Sequence, residues 1–157
     1  MRGKRIGSGA ALLAGTLAVT GLALAPTAVA VSPTTATFTA SCGIFGGGSA
    51  TLTATQNGTA ATLTLSTTAV KAPLPIGANS INSTLTMTNS AGANRVFTGN
   101  ANPAMATNDP ITVGPLNGTV ASGDSLDIFG GGLTMVVFGI TVTCTATGHQ
   151  SAPFVYS

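Results

Sequence analysis

The side chains able to do chemistry are few and far apart. Beyond residue 30 the side chains that carry or readily take up charge near neutral pH are Lys71, Arg95, Asp109, Asp124, Asp127 and His149, with two cysteines, Cys42 and Cys144, one tyrosine, Tyr156, and no Glu or Trp anywhere in the chain. A nucleophilic triad would have to join some serine to His149 and one aspartate. No serine, however, sits in the G-x-S-x-G setting that presents a nucleophile. His149 follows Thr147-Gly148 near the C-terminus and is expected to be a solvated side chain in a polar tail. Asp124 and Asp127 are three apart, but Gly123-Asp124-Ser125 has the character of a turn, and no second carboxylate cluster supports glycoside hydrolysis or a calcium loop. Gly46-Gly47-Gly48 and Gly130-Gly131-Gly132 lack the Lys-Ser/Thr that completes a phosphate loop. The expectation is a non-enzyme with no catalytic, cofactor-binding or metal-ligating residue.

The charge pattern sets further bounds. The chain has 157 residues and a formal net charge of +2, but Arg2, Lys4 and Arg5 supply three of its five cations. A basic start, an uncharged apolar stretch from Ile6 to Ala25 and Ala28-Val29-Ala30 together read as a secretory signal peptide over residues 1–30. The remaining domain, residues 31–157, has three acids against two cations, too few positive charges to neutralise a nucleic-acid backbone. No later segment is long and apolar enough to span a bilayer as a helix. Secretion to the cell exterior is therefore expected, with non-covalent association with the cell wall left open.

Export also bears on the cysteines. In an oxidising compartment, Cys42 and Cys144 are expected to form one disulfide. Thr39-Ala40-Ser41-Cys42 faintly resembles a lipoprotein cleavage box, but the leading Leu is missing and the apolar stretch lies too far upstream. A metal site built on the two thiols would have only His149 nearby in kind, which is short of four ligands.

The elements that position these groups are strands. Thr35 to Ile44 alternates, with Ala36, Phe38, Ala40, Cys42 and Ile44 on one face and threonines and Ser41 on the other. Asn57-Gly58 predicts a type I′ hairpin in which Gln56 pairs with Thr59, Ala54 with Ala61, Leu52 with Leu63 and Ala50 with Leu65. Further strands are expected over Ile81–Met87, near Arg95–Thr98, at Ile111–Val113 with a bulge or bend following, and at Leu126–Ile128. A long strand is expected over Leu133–Thr147, with Met135 to Phe138 buried on both faces. Ile44-Phe45-Gly46-Gly47-Gly48 recurs as Ile128-Phe129-Gly130-Gly131-Gly132. The repeat is read either as two equivalent loops presenting Phe45 and Phe129 to a ligand or as flexible connectors between hairpins. About seven to nine short antiparallel strands and no helix predict an all-β, two-sheet sandwich closed by a short C-terminal tail.

The Ala/Gly-rich leader, the Thr-rich strands and Thr143-Cys144-Thr145 near the end resemble short secreted β-sandwich proteins of actinobacteria, in which an early cysteine pairs with one close to the C-terminus. The resemblance implies an immunoglobulin-like sandwich and no settled activity. Two functions are carried forward. The first is a structural or protein-interaction module whose weakly charged, Thr-rich surface packs against copies of itself or another extracellular protein, by face-to-face packing or by strand addition at a sandwich edge. The second is a binding module for an apolar small molecule or glycan, built on Phe45 and Phe129.

Overall fold

The computed structural model describes residues 30–157; the expected signal peptide lies outside the described residues except for Ala30. The described residues form ten strands: β1 (Val31–Ser32), β2 (Thr35–Ser41), β3 (Gly47–Asn57), β4 (Ala60–Lys71), β5 (Asn82–Asn89), β6 (Asn94–Gly99), β7 (Pro110–Thr119), β8 (Ser125–Val137), β9 (Ile140–Ala146) and β10 (Phe154–Tyr156). A single 3₁₀ turn, Gly43–Phe45, interrupts them.

The strands do not make a sandwich. Their order is β8-β5-β6-β7-β4-β3-β2-β9, and β9 pairs back onto β8, so eight antiparallel strands close into a barrel. The expected immunoglobulin-like two-sheet fold is thus corrected. Period-two alternation fixes which residues face inward, and a sandwich and a barrel both satisfy it; closure depends on pairing between strands distant in sequence. The inward set is largely as expected from alternation; Ile44 is the exception, because the chain leaves β2 at Ser41 and turns Ile44 out to solvent. Ala50, Leu52, Ala54, Ala61, Leu63 and Leu65 are all buried, joined by Leu85, Met87, Phe97, Val113 and Leu116. Outward positions carry threonine pairs such as Thr53 opposite Thr64 and Thr84 opposite Thr98.

The first hairpin shows how far alternation reaches. Asn57 pairs with Ala60, and Gly58-Thr59 forms the turn, with φ of 60° at Gly58. A glycine with positive φ at the first central position is the signature of a type II′ turn, not the expected I′ turn centred on Asn57-Gly58. Leu52 therefore faces Leu65 and Ala54 faces Leu63. The shift from the expected pairing is two residues, so every side chain keeps its face.

Two other expectations change. The long strand over Leu133–Thr147 is broken by a hairpin at Phe138-Gly139, where both residues have positive φ (52° and 77°) as a type I′ turn requires. Phe138, expected in the core, is 61% exposed at its tip. The expected C-terminal tail is instead β10, which pairs with β1 and β8 and buries Phe154 and Tyr156 completely.

Glycines inside strands allow the sheet to coil. The Gly130–Gly132 run is no connector; it lies within β8, where four residues, Ile128 to Gly131, bulge opposite Met87 of β5. A Cβ on Gly131 would lie 2.0 Å from the Thr86 carbonyl oxygen, so only glycine permits the approach. In β7 the expected bend is present: Gly114 and Pro115 bulge opposite Thr64, between the Leu63–Leu116 and Leu65–Val113 pairs. Glycine kinks and bulges of this kind are what turn an open sheet into a barrel.

The ring closes between β2 and β9 through only two residue pairs, Ala40–Ala146 and Ser41–Thr145. Beyond β9 the chain keeps following β2, with Thr147 N–H donating to Thr39 O (2.9 Å) and Ser151 N–H to Thr37 O (2.7 Å). Cys42 and Cys144 form the expected disulfide at this seam, across a sequence separation of 102. Cleavage of the disulfide by reductant is expected to cost about 2–5 kcal/mol of folding stability, measured by urea denaturation with and without dithiothreitol; an unchanged midpoint would show that the seam holds without it. Gly131→Ala should cost more than about 3 kcal/mol, whereas Gly148→Ala, with open space around its Cα, should stay within about 0.5 kcal/mol of wild type in the same measurement.

Candidate functional site

One end of the barrel is apolar and open. Its wall is made by the Phe138-Gly139 hairpin between β8 and β9, the 3₁₀ turn carrying Phe45, the end of β4 at Val70 and Lys71, and Pro73 and Ile76 from the loop that follows. These surround a cavity of about 230 Å³ whose floor includes Ile81, Ile111, Met135 and Val142. A smaller apolar cavity of about 40 Å³ lies deeper and shares Val70, Ile111, Met135 and Val142 with it. The disulfide, Phe38 and Leu133 line the deeper space. Met135 stands between the two, and its unbranched thioether can adapt to fill or vacate such a gap.

The rim is unusual for a protein surface. Phe138, Ile140 and Phe45 line the mouth at 61%, 55% and 44% exposure. Ile44 and Leu74, next in sequence to lining residues, are also exposed. Single exposed apolar residues are ordinary, but a cluster at a concave opening marks a contact site. Phe138 also holds a left-handed backbone conformation that is costly for a bulky residue, and this turn is what carries the ring to the lip.

The mouth is fixed from behind by buried Asn102. Its Oδ1 accepts from the N–H groups of Ser80 (2.8 Å) and Ile81 (3.0 Å), while Nδ2 donates to the carbonyls of Gly77 (2.8 Å) and Pro103 (2.7 Å). Both N–H groups and both acceptor positions of the amide are used, so the loop bearing Ile76 and Ile81 is held in place.

Lys71 is the one charged residue lining the mouth, and among the described residues it has no ion pair. The other cation among the described residues, Arg95, is committed elsewhere. Its guanidinium makes a two-pronged contact with Asp124, with Nε donating to Oδ2 at 2.6 Å and Nη2 to Oδ1 at 3.1 Å. Asp124 also accepts from Ala121 N–H and Asn89 Nδ2. The Arg95 hydrogen bond holds the Asp124 carboxyl below its usual range against the opposing effect of burial. Nearby Tyr156 is buried, and its hydroxyl has no hydrogen-bond partner among the described residues; burial and the Asp124 charge push its pKa up.

His149 is not a free tail residue. Its Nδ1 lies 2.8 Å from Asp127 Oδ2, and its ring packs on Phe129 with centroids 4.5 Å apart. Asp127 Oδ1 accepts from the N–H groups of Phe129 and Gln150, and buried Gln150 ties Ile128, Leu126 and Ala152 together. The pair thus pins the segment after β9 against the β8 bulge. No serine is hydrogen-bonded to His149 among the described residues, and no three metal-ligating side chains come together there.

Phe45 and Phe129 are not brought to a shared site. Phe45 lines the mouth; Phe129 does not, and packs on His149 instead. The two Ile-Phe-Gly-Gly-Gly segments occupy opposite environments, with Ile44 97% exposed in a turn and Ile128 buried within β8. Lys71, Phe138, Ile140 and Asn102 escaped sequence reasoning. Only Phe138-Gly139 carried a usable signal, a glycine interrupting an apolar run.

Compared with protein-family models, curated proteins and solved structures, the chain has no match.

Because the Asp124 pKa is lowered in the folded state, its contribution to stability is complete above about pH 4, near the unfolded value, and is lost as pH falls through the folded value. The acid limb of the stability profile should therefore flatten in Asp124→Asn, with a lower Tm at neutral pH; thermal melts from pH 2 to pH 7 would check this.

Proposed function

We propose that this chain is a non-catalytic binding module that takes a small apolar molecule into the open end of its barrel. The observation that carries this reading is the 230 Å³ mouth cavity, with Lys71 the only charged group lining it and exposed Phe138, Ile140 and Phe45 at its edge. Eight-stranded barrels have an interior of the width that either fills with side chains or holds one small ligand. Here the deep interior is nearly filled, and the space is concentrated at one end.

The alternative of an interaction module loses much of its support. Strand addition needs an open sheet edge, and ring closure leaves less of one than a sandwich would: the two-residue strand β1 at the end of the sheet order and the stretches of β9 and β7 beyond their short pairings with β2 and β6. The outward threonines do not provide a lipid-facing band either, since barrels that cross membranes carry apolar residues there. No helix among the described residues is long and apolar enough to cross a membrane. The disulfide is consistent with an extracellular setting.

A neutral fluorescent probe small enough for the space, such as 1-naphthol, should bind purified protein saturably at one site and be displaced by decanol. Val142→Phe, which places a larger ring between the mouth and the deeper cavity, should weaken binding by about ten-fold while leaving the circular dichroism spectrum unchanged. Absence of saturable binding by the wild-type protein would overturn the proposal.

A further inference from the structure

Lys71 gives the mouth a chemical preference. We infer that the ligand is a single-chain amphiphile with an anionic head, a carboxylate of about eight to eleven carbons, whose tail enters the barrel while its head pairs with Lys71 at the rim. This rests on the binding reading above and adds the ligand class.

Three observations converge on that ligand. The first is charge: an ammonium without an ion pair among the described residues sits beside a wall that is otherwise apolar. An uncharged hydrocarbon would leave it unused, and a cationic amphiphile would be repelled. The second is the direction of the space. The mouth leads toward the deeper cavity past Met135 and Val142, and polarity falls from Lys71 at the edge to Phe38, Leu133 and the disulfide within. A molecule with one charged end and one apolar end matches that gradient.

The third is volume. An apolar protein cavity of about 150 Å³ accommodates the six carbons of benzene. On that scale the mouth cavity holds roughly nine heavy atoms, and both spaces together roughly eleven. A two-chain membrane lipid does not fit, which commits the site to a free, monomeric carboxylate. The exposed rim could otherwise be taken for a membrane-docking surface, and the same experiment separates the two.

Competition binding would compare decanol, decanoate and decyltrimethylammonium, followed by carboxylates from six to fourteen carbons. Decanoate should bind better than the cationic analogue, with an advantage that shrinks as salt rises. Affinity should rise about four-fold for each added methylene and level off near ten or eleven carbons. Lys71→Met should weaken decanoate about five-fold, in the range of an exposed ion pair, and leave decanol within two-fold; Lys71→Glu should reverse the preference toward the cation. Decanol binding with no preference among head groups would overturn the ligand class while leaving the cavity reading intact. Failure of all three to bind would overturn both. Flotation with phosphatidylglycerol vesicles in the absence of carboxylate binding would replace the free ligand by a membrane surface and equally refute the inference.

Discussion

The closure of the ring between β2 and β9 is the constraint on which the rest of the fold depends. β6 and β7 also meet through two residue pairs, but they follow one another in the chain; this contact brings together segments about a hundred positions apart through two residue pairs. An opening there would expose the inward leucines of several strands at once and turn two strands into free edges. The disulfide lies at that weak point, with the hydrogen bonds from Thr147 and Ser151 extending the contact along β2. His149 and Gln150 follow directly. Their contacts with Asp127, Leu126 and Ile128 fasten the returning chain to β8, so the neighbouring polar residues act as anchors of closure.

Closure also explains how a chain with so little charge can keep a well-defined surface. An open sandwich of threonine-rich strands would present edges that few charges protect. A barrel removes them and leaves outward threonine rows whose hydroxyls meet water and each other, as in the Thr55–Thr62 contact of 2.7 Å. The remaining apolar exposure is then concentrated at one end of the ring, where the hairpin between β8 and β9 and the turn after Cys42 stand around the mouth. The disulfide is thus both the staple of the seam and part of the wall behind the cavity. Stability and the candidate site share the same residues.

Identical words in the sequence acquired different meanings. Ile-Phe-Gly-Gly-Gly after Cys42 turns the chain out of β2 and exposes its isoleucine, while the second copy buries its isoleucine and bulges within a strand. Both copies use positive φ and close approach, but against different neighbours: Gly47 and Gly48 lie against Ala40 and Ala69, and Gly131 against Thr86. Equivalence of sequence therefore gave no equivalence of loops, and the pair of phenylalanines does not form one site.

Alternation by itself determined the strand-rich character, the inward and outward faces of the hairpins and, with the expectation of export, the cysteine pairing. These are local or parity properties: a side chain's face depends on whether its position is odd or even along a strand, so even the two-residue error at Gly58 left every core residue of that hairpin correctly assigned. Sandwich or barrel was not legible, because closure is set by the pairing of β8 with β9 and β9 with β2 and by the coil that in-strand glycines permit. Nor was the mouth. Lys71, Phe138, Ile140 and Ile81 come from three separate segments with no common motif, and only the tertiary structure places an unpaired ammonium beside an apolar space. A cavity is a property of how surfaces fail to fill one another, and no single strand encodes that.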